Sequence, residues 1–351
     1  MPFAYELCGP SAVYVLNMKV IFVIFRGTHA TFARSAAVKA MQRLRDVRKV
    51  IVKRFHYAVY VLGLSYTVGA ICLLAGTCLC FVCPRVYGSS DFPKTLIFAT
   101  LVLSELFVNL VLFILRASYN RIDKLVRYDQ SLTLPFSSYS TLSQSLSGDS
   151  NHFATKFCSP CQATVPKLCH HCPLCNYCVF KRDHHCFFMG GCVGFGNQRH
   201  FIVFLFWALI GAAYALYMTI SFFNAFQWPL LPFGWFDCLL PVYLTKRLIL
   251  WDWNMAQFGF VVLLSLAFSS TVVSAIFFFA QWFFVLTGRS MIGYFQMADL
   301  FLGKENPTLG QRVALVFGRH WWLNFLLPLP YLNRLDKDYR RVLYSHYVKV
   351  L

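Results

Sequence analysis

Four long apolar runs divide the chain, with polar and mostly basic stretches between them. The first, "FHYAVYVLGLSYTVGAICLLAGTCLCFVC", lies between Arg54 and Arg85. Lys94 and Arg116 bracket the second, in which Glu105 is the only charge. The third starts after Arg199 and runs to about Gln227. The fourth, "NMAQFGFVVLLSLAFSSTVVSAIFFFAQWFFVLTG", lies between Asp252 and Arg289. Crossing a bilayer as a helix takes roughly 20 apolar residues, and each run meets that length. The pattern predicts an all-α polytopic membrane protein with four transmembrane helices.

Composition supports this reading. Only 13% of the residues are charged, against about 25% in a soluble domain. The net charge of +18 is explained by where the cations fall. Lys and Arg number nine in residues 26–54, two in 84–94, nine in 116–199, two in 227–256 and nine in 287–351. Basic loops stay on the cytoplasmic side, so both termini and the long middle loop are expected in the cytosol. The charge therefore reads as topology, with the bilayer and its anionic headgroups as partners and no role in nucleic-acid binding. Residues 11–25 are short and interrupted by Lys19, with no clean small-residue cleavage site after them, and read as a surface-lying segment. Met41 is a candidate alternative start.

The expected organisation follows from these runs. Residues 1–54 form a basic cytosolic N-terminal region and 55–116 a first transmembrane hairpin. Residues 117–199 form a cytosolic loop, 200–286 a second transmembrane hairpin, and 287–351 a cytosolic tail. Within the loop, the serine-rich tract 131–150 reads as a linker. A cysteine-rich unit follows it, from about 156 to 199. Glu105, with Asn109 one turn on, reads as a hydrogen-bonded packing group.

Eight of the chain's 14 cysteines fall between residues 158 and 192. On the reducing side of a membrane such a cluster is a metal site in preference to a set of disulfides. Two structural zincs need eight ligands. Cys158-x-x-Cys161 and Cys172-x-x-Cys175 supply four, and Cys178, Cys192, His171 and His185 complete the set. Asp183, His184 and Cys186 are left over, with Cys169 and His170. A thiol, an imidazole and a carboxylate in one short stretch are the parts of an activated nucleophile.

Residues 158–201 resemble the cysteine-rich domain of the Asp-His-His-Cys (DHHC) protein acyltransferases, the S-palmitoyltransferases. The likeness runs from the first Cys-x-x-Cys through Asp183-His184-His185-Cys186 to Cys192-Val193-Gly194 and Asn197. The resemblance implies two interleaved structural Zn2+ sites, one of Cys158, Cys161, His171 and Cys178, the other of Cys172, Cys175, His185 and Cys192. It implies Cys186 as the acylated nucleophile, His184 as its base and Asp183 as the group that orients His184. The implied reaction takes a fatty acyl group, palmitoyl foremost, from acyl-CoA onto Cys186 as a thioester. It then passes the group to cytosolic cysteines of membrane-associated substrate proteins, with an endomembrane (Golgi or endoplasmic reticulum) as the expected location.

The chain also departs from the family. Where the family has Lys-Pro-x-Arg, Val165-Pro166-Lys167-Leu168 stands, leaving Lys156, Lys181, Arg182, Arg199 or Arg289 to meet coenzyme A phosphates. Phe187-Phe188 replaces Pro-Trp, Gly190-Gly191 replaces Asn-Asn, and no Asp-Pro-Gly follows the second span. The Thr-Thr-x-Glu after the last span becomes Arg289-Ser290-Met291-Ile292, with Ser290 as the expected support for Asp183. The tail 305–330 reads as a shortened form of the family's C-terminal motif. These departures make the chain a divergent member and set a second reading beside the first: a zinc-stabilised membrane scaffold without activity. A cross-brace ubiquitin ligase fits less well, because the cluster closes on Cys186-x5-Cys192 and not on another Cys-x-x-Cys. Gly211-Ala212-Ala213 lies about 17 Å into the third span at 1.5 Å per residue. These small residues read as helix packing, with the end of an acyl tunnel as the alternative.

Overall fold

The structure is a computed structural model that describes residues 30–88, 91–121, 155–166, 169–227, 230, 234–292, 308–318 and 320–327. The segment 11–25, the linker 131–150 and the tail beyond 327 lie outside these residues. Residues 1–58 and 59–351 form two units. In the first, residues 30–58 are helical.

Helix α1 spans Ala30–Thr77 and continues through a π-helical turn, Cys78–Val82, into the short α2, Cys83–Val86. The widened turn falls just ahead of Pro84, which has no N–H to offer the carbonyl four residues back. Helix α3, Phe92–Arg116, opens with a proline in its first turn. Helix α4 spans Gln198–Phe226, α5 Leu240–Leu250 and α6 Met255–Thr287. Asn254 caps α6 by accepting the Gln257 N–H, and Gly288 ends it at φ 70°, a left-handed turn that glycine adopts without strain. Four helical stretches are long and apolar enough to cross a membrane: Arg54–Val86, Phe92–Arg116, Gln198–Phe226 and Met255–Thr287. A helix satisfies its own backbone hydrogen bonds, which is what allows it to lie in lipid.

Helix α4 packs against both α3 and α6. Val102, Leu106, Leu110 and Phe113 of α3 meet Phe201, Phe204 and Leu205 of α4 in one buried cluster, and Cys186 and Met189 of the intervening loop join it. The loop is therefore sunk between the membrane helices. Glu105 is buried and accepts from the Asn109 amide at 3.1 Å, and Asn109 Oδ1 lies 3.2 Å from His200 Nδ1. This is the hydrogen-bonded packing arrangement expected for Glu105. Beyond α6, short helices α7 (Leu309–Phe317) and α8 (Trp321–Leu326) return to the bundle, where Phe317 stacks on Trp282 at 5.6 Å.

The described structure is mostly helical, but the cysteine-rich loop adds three two-stranded antiparallel hairpins that helical periodicity did not announce. Strand β1 (Thr155–Cys158) pairs with β2 (Ala163–Pro166), β3 (Cys169–Cys172) with β4 (Tyr177–Phe180), and β5 (His184–Cys186) with β6 (Gly191–Val193). In each, a short turn ends on a left-handed residue: Gln162, Asn176 or Gly190. Two buried asparagines fasten this loop to the helices. Asn197 donates to the Phe113 and Cys192 carbonyls, and Asn120 donates to Asn197 and accepts the Gly196 N–H. The first span holds the last turn just as closely. A Cβ on Gly63 would come within 2.5 Å of the Phe187 carbonyl oxygen, and Thr67 donates to the Phe188 carbonyl at 2.8 Å. Only a glycine admits that approach.

Candidate functional site

The eight expected ligands come together as two groups, Cys158, Cys161, His171, Cys178 and Cys172, Cys175, His185, Cys192. Within each group all four ligand atoms lie within 4.8 Å of one another. In the first, Cys161 Sγ is 3.2 Å from His171 Nδ1 and 3.7 Å from Cys178 Sγ. In the second, His185 Nδ1 is 3.6, 3.4 and 3.5 Å from the sulfurs of Cys172, Cys175 and Cys192. Ligands about 2.3 Å from a tetrahedral centre sit about 3.8 Å apart for sulfur pairs, and slightly closer for sulfur and nitrogen. The donor sets fit a tetrahedral, thiophilic ion.

The hairpins explain how the sets form. Each group takes two cysteines from the turn of one hairpin and a His/Cys pair from the strands of the next. Those pairs stand directly opposite in the ladder: His171 against Cys178, and His185 against Cys192. The second group repeats the first at a spacing of 14 residues: 158 to 172, 161 to 175, 171 to 185 and 178 to 192. Sequence reasoning missed this period, although the numbering carries it. A two-stranded hairpin is marginal alone in water, so ligation must supply what so small a core cannot.

The same alternation separates the remaining residues. Successive side chains on a strand point to opposite faces. On β5, His185 faces its three cysteines, while His184 and Cys186 on either side face the membrane helices. The His184 ring packs on Phe201 and Phe277, and Cys186 belongs to the cluster shared with Val102 and Phe204. Asp183 is 1% exposed and its Oδ2 lies 2.9 Å from His184 Nδ1. With Nδ1–H committed to the carboxylate, Nε2 turns the other way. It has no hydrogen-bond partner among the described residues, though Cys186 is near enough to act on it electrically.

Burial opposes charge on both Asp183 and His184, and their pairing outweighs it. The His184 pKa is raised to about 9 by the Asp183 hydrogen bond and by Cys186, against burial. The Asp183 pKa is lowered, against burial, by His184, the Met291 N–H and Gln281. Two of these supports were not foreseen. Asp183 Oδ1 accepts the peptide N–H of Met291, the residue after Ser290, and Oδ2 accepts Gln281 Nε2 at 2.6 Å. Gln281 stands alone in an apolar run, so only the folded chain reveals its partner. Of the other leftover residues, Cys169 is buried with its pKa raised to about 12, and His170 Nδ1 faces Lys156 Nζ at 3.4 Å.

An apolar cavity of about 280 Å³ lies beside the loop, with Cys186, Phe188 and Met189 sharing its lining with Cys78, Gly211 and Tyr214. Residues of α4 from Phe201 to Ala215 line it, a length of about 21 Å at 1.5 Å per residue.

Four apolar helices and a loop with two Cys/His ligand groups define a polytopic membrane protein with a metal-binding domain inserted after its second span. Residues 151–297 match the DHHC palmitoyltransferase family. It is 42% identical over 73 residues to palmitoyltransferase ZDHHC15 of Xenopus laevis, covering 21% of each chain. Against palmitoyltransferase PFA3 of Kluyveromyces lactis it is 45% identical over 64 residues, 18% of this chain and 20% of that one. Palmitoyltransferase ZDHHC22 of Danio rerio is 30% identical over 179 residues, 50% of this chain and 57% of the relative. The chain thus spans about a fifth of the first two relatives and just over half of the third.

Proposed function

We propose that the chain is a protein S-acyltransferase that carries a fatty acyl group, palmitoyl foremost, from acyl-CoA through a Cys186 thioester to cysteines of substrate proteins. The observation behind this reading is that Cys186 stands outside both ligand groups, backed by His184 and Asp183, in the lining of an apolar cavity.

In the first step His184 Nε2 takes the thiol proton and the Cys186 sulfur attacks the thioester carbonyl carbon. The bond from that carbon to the coenzyme A sulfur breaks, and the proton leaves with coenzyme A as its thiol. In the second step a substrate cysteine gives its proton to Nε2, attacks the same carbon and releases Cys186, which recovers the proton. One thioester is exchanged for another each time, so the site needs a thiolate, proximity and room for the chain. The cavity offers that room over a length comparable to an extended acyl chain. Cys158, Cys161, His171 and Cys178 would hold one zinc, and Cys172, Cys175, His185 and Cys192 another. Each would supply folding free energy and leave no open position for chemistry. The nine-and-two alternation of basic residues supports a cytosolic loop and cytosolic termini, on the side where acyl-CoA and substrate cysteines are found.

The test is incubation of the purified protein with labelled palmitoyl-CoA. A hydroxylamine-labile adduct on Cys186 is expected. No adduct, in protein retaining both metals, would leave the scaffold reading in its place.

A further inference from the structure

Two glutamines on different membrane helices are nearly sealed from solvent, Gln198 at 4% and Gln281 at 2% exposure. Gln198 is the first residue of α4 and Gln281 lies near the end of α6. Gln198 Nε2 donates to Gln281 Oε1 at 3.2 Å, and Gln281 Nε2 donates to Asp183 Oδ2 at 2.6 Å. An uncharged amide inside an apolar helix bundle is costly unless its partners are in place. Here they are, and they form a line that ends on the carboxylate beside His184.

Resting on the transferase reading, we infer that Gln281 is a positioning residue for acyl transfer and that Gln198 sets its orientation. A glutamine side chain has one accepting end and one donating end. Because Gln198 occupies the Oε1 end, the amino end must face Asp183. Asp183 Oδ2 then receives two donors, His184 Nδ1 and Gln281 Nε2, while the Met291 N–H holds Oδ1. Three donors from three parts of the chain fix the plane of the carboxylate. That plane fixes the imidazole, and the imidazole decides whether Nε2 meets the Cys186 thiol. The fourth span thereby takes part in the chemistry without touching a reacting atom.

The experiment measures single-turnover acylation of full-length protein by palmitoyl-CoA, per metal-loaded chain. Gln281→Met keeps the volume and removes the donor. A hydrogen bond to a charged group controls on the order of 10- to 100-fold in the step that depends on it. That loss is expected in the maximal rate, with the palmitoyl-CoA concentration for half-maximal rate unchanged and both metals retained. Gln198→Met leaves Gln281 free to turn its amide, so a loss of a few-fold is expected. Added to Gln281→Met, it should do nothing more, because the two act as one unit. Full rate in Gln281→Met, or additive losses in the double variant, would overturn the inference. So would losses that follow metal content or melting temperature in both single variants. If Cys186 of the unaltered protein takes no acyl group, the transferase reading falls, and this inference with it.

Discussion

The second and third hairpins carry the same string, His-His-Cys, at residues 170–172 and 184–186, and put it to different uses. In both, the middle histidine faces a ligand group and stands opposite a cysteine in the ladder. The other two residues diverge. Cys172 opens a turn whose third residue is Cys175, and both enter the second ligand group. Cys186 opens an equivalent turn, but Met189 stands where the second cysteine would be, and among the described residues no further hairpin follows. Among the described residues Cys186 is thus a knuckle cysteine outside both ligand groups. The first histidines differ as well. Burial, then Lys156 and Arg182, pushes the His170 pKa down to about 4. Burial acts the same way on His184, yet Asp183 and Cys186 bring it up to about 9. What the string does is therefore set by its neighbours: a carboxylate ahead of it, and an apolar residue three places beyond it.

The comparison can be broken most severely at the cysteines. Cys186→Ser should abolish acylation with metal content unchanged, whereas Cys172→Ser should lose metal and unfold the loop, since structural ligation and folding are one event. Metal analysis alongside the labelled-adduct assay separates the two, and metal loss in Cys186→Ser would reverse the assignment. At the histidines, His184→Ala should slow formation of the acyl-enzyme by about 100-fold or more, the range expected of a lost general base. His170→Ala should stay within about twofold of the native rate by the same measure. Asp183→Asn should fall between them. A sharper test restores the likeness: Met189→Cys recreates a Cys-x-x-Cys turn, and micromolar added zinc should then inhibit acylation severalfold while sparing the native protein. The smallest effect concerns the cavity. Gly211→Phe should shift the preference toward shorter acyl-CoA chains, measured by competition between chain lengths. A Cβ at Gly211 would already meet Val102 Cγ1 at 2.8 Å, so an unchanged chain-length profile would leave Gly211 as a packing residue only.

Much of this architecture was legible in the sequence. Hydropathy located the four spans because a bilayer imposes length and apolarity over many residues, which a single chain displays openly. The density of cysteine and histidine, with two Cys-x-x-Cys pairs, marked a metal-binding loop for a similar reason. The hairpins were not legible, because strands of three or four residues are too short to establish a period. Neither was the support that Gln281 gives Asp183. Ser290 was expected to support it from a motif position, but Gln281, 98 positions away in an apolar run, was not expected. The roles expected for His184 and Asp183 rest on their order beside Cys186. Their distances and burial depend on how α4 and α6 close over the loop.

The alternation of faces along β5 has a consequence for how this loop can change over generations. Residues may be exchanged at fixed places, as Phe187-Phe188 and Gly190-Gly191 already illustrate. A codon gained or lost within residues 184–192 is another matter. Slipping a strand by one residue turns every side chain to the opposite face, so the thiol would enter the ligand group and His185 would leave it. No intermediate state lies between those two arrangements. Such a loop is free to drift in spelling and closed to drift in length, and insertions in related genes should fall outside residues 184–192.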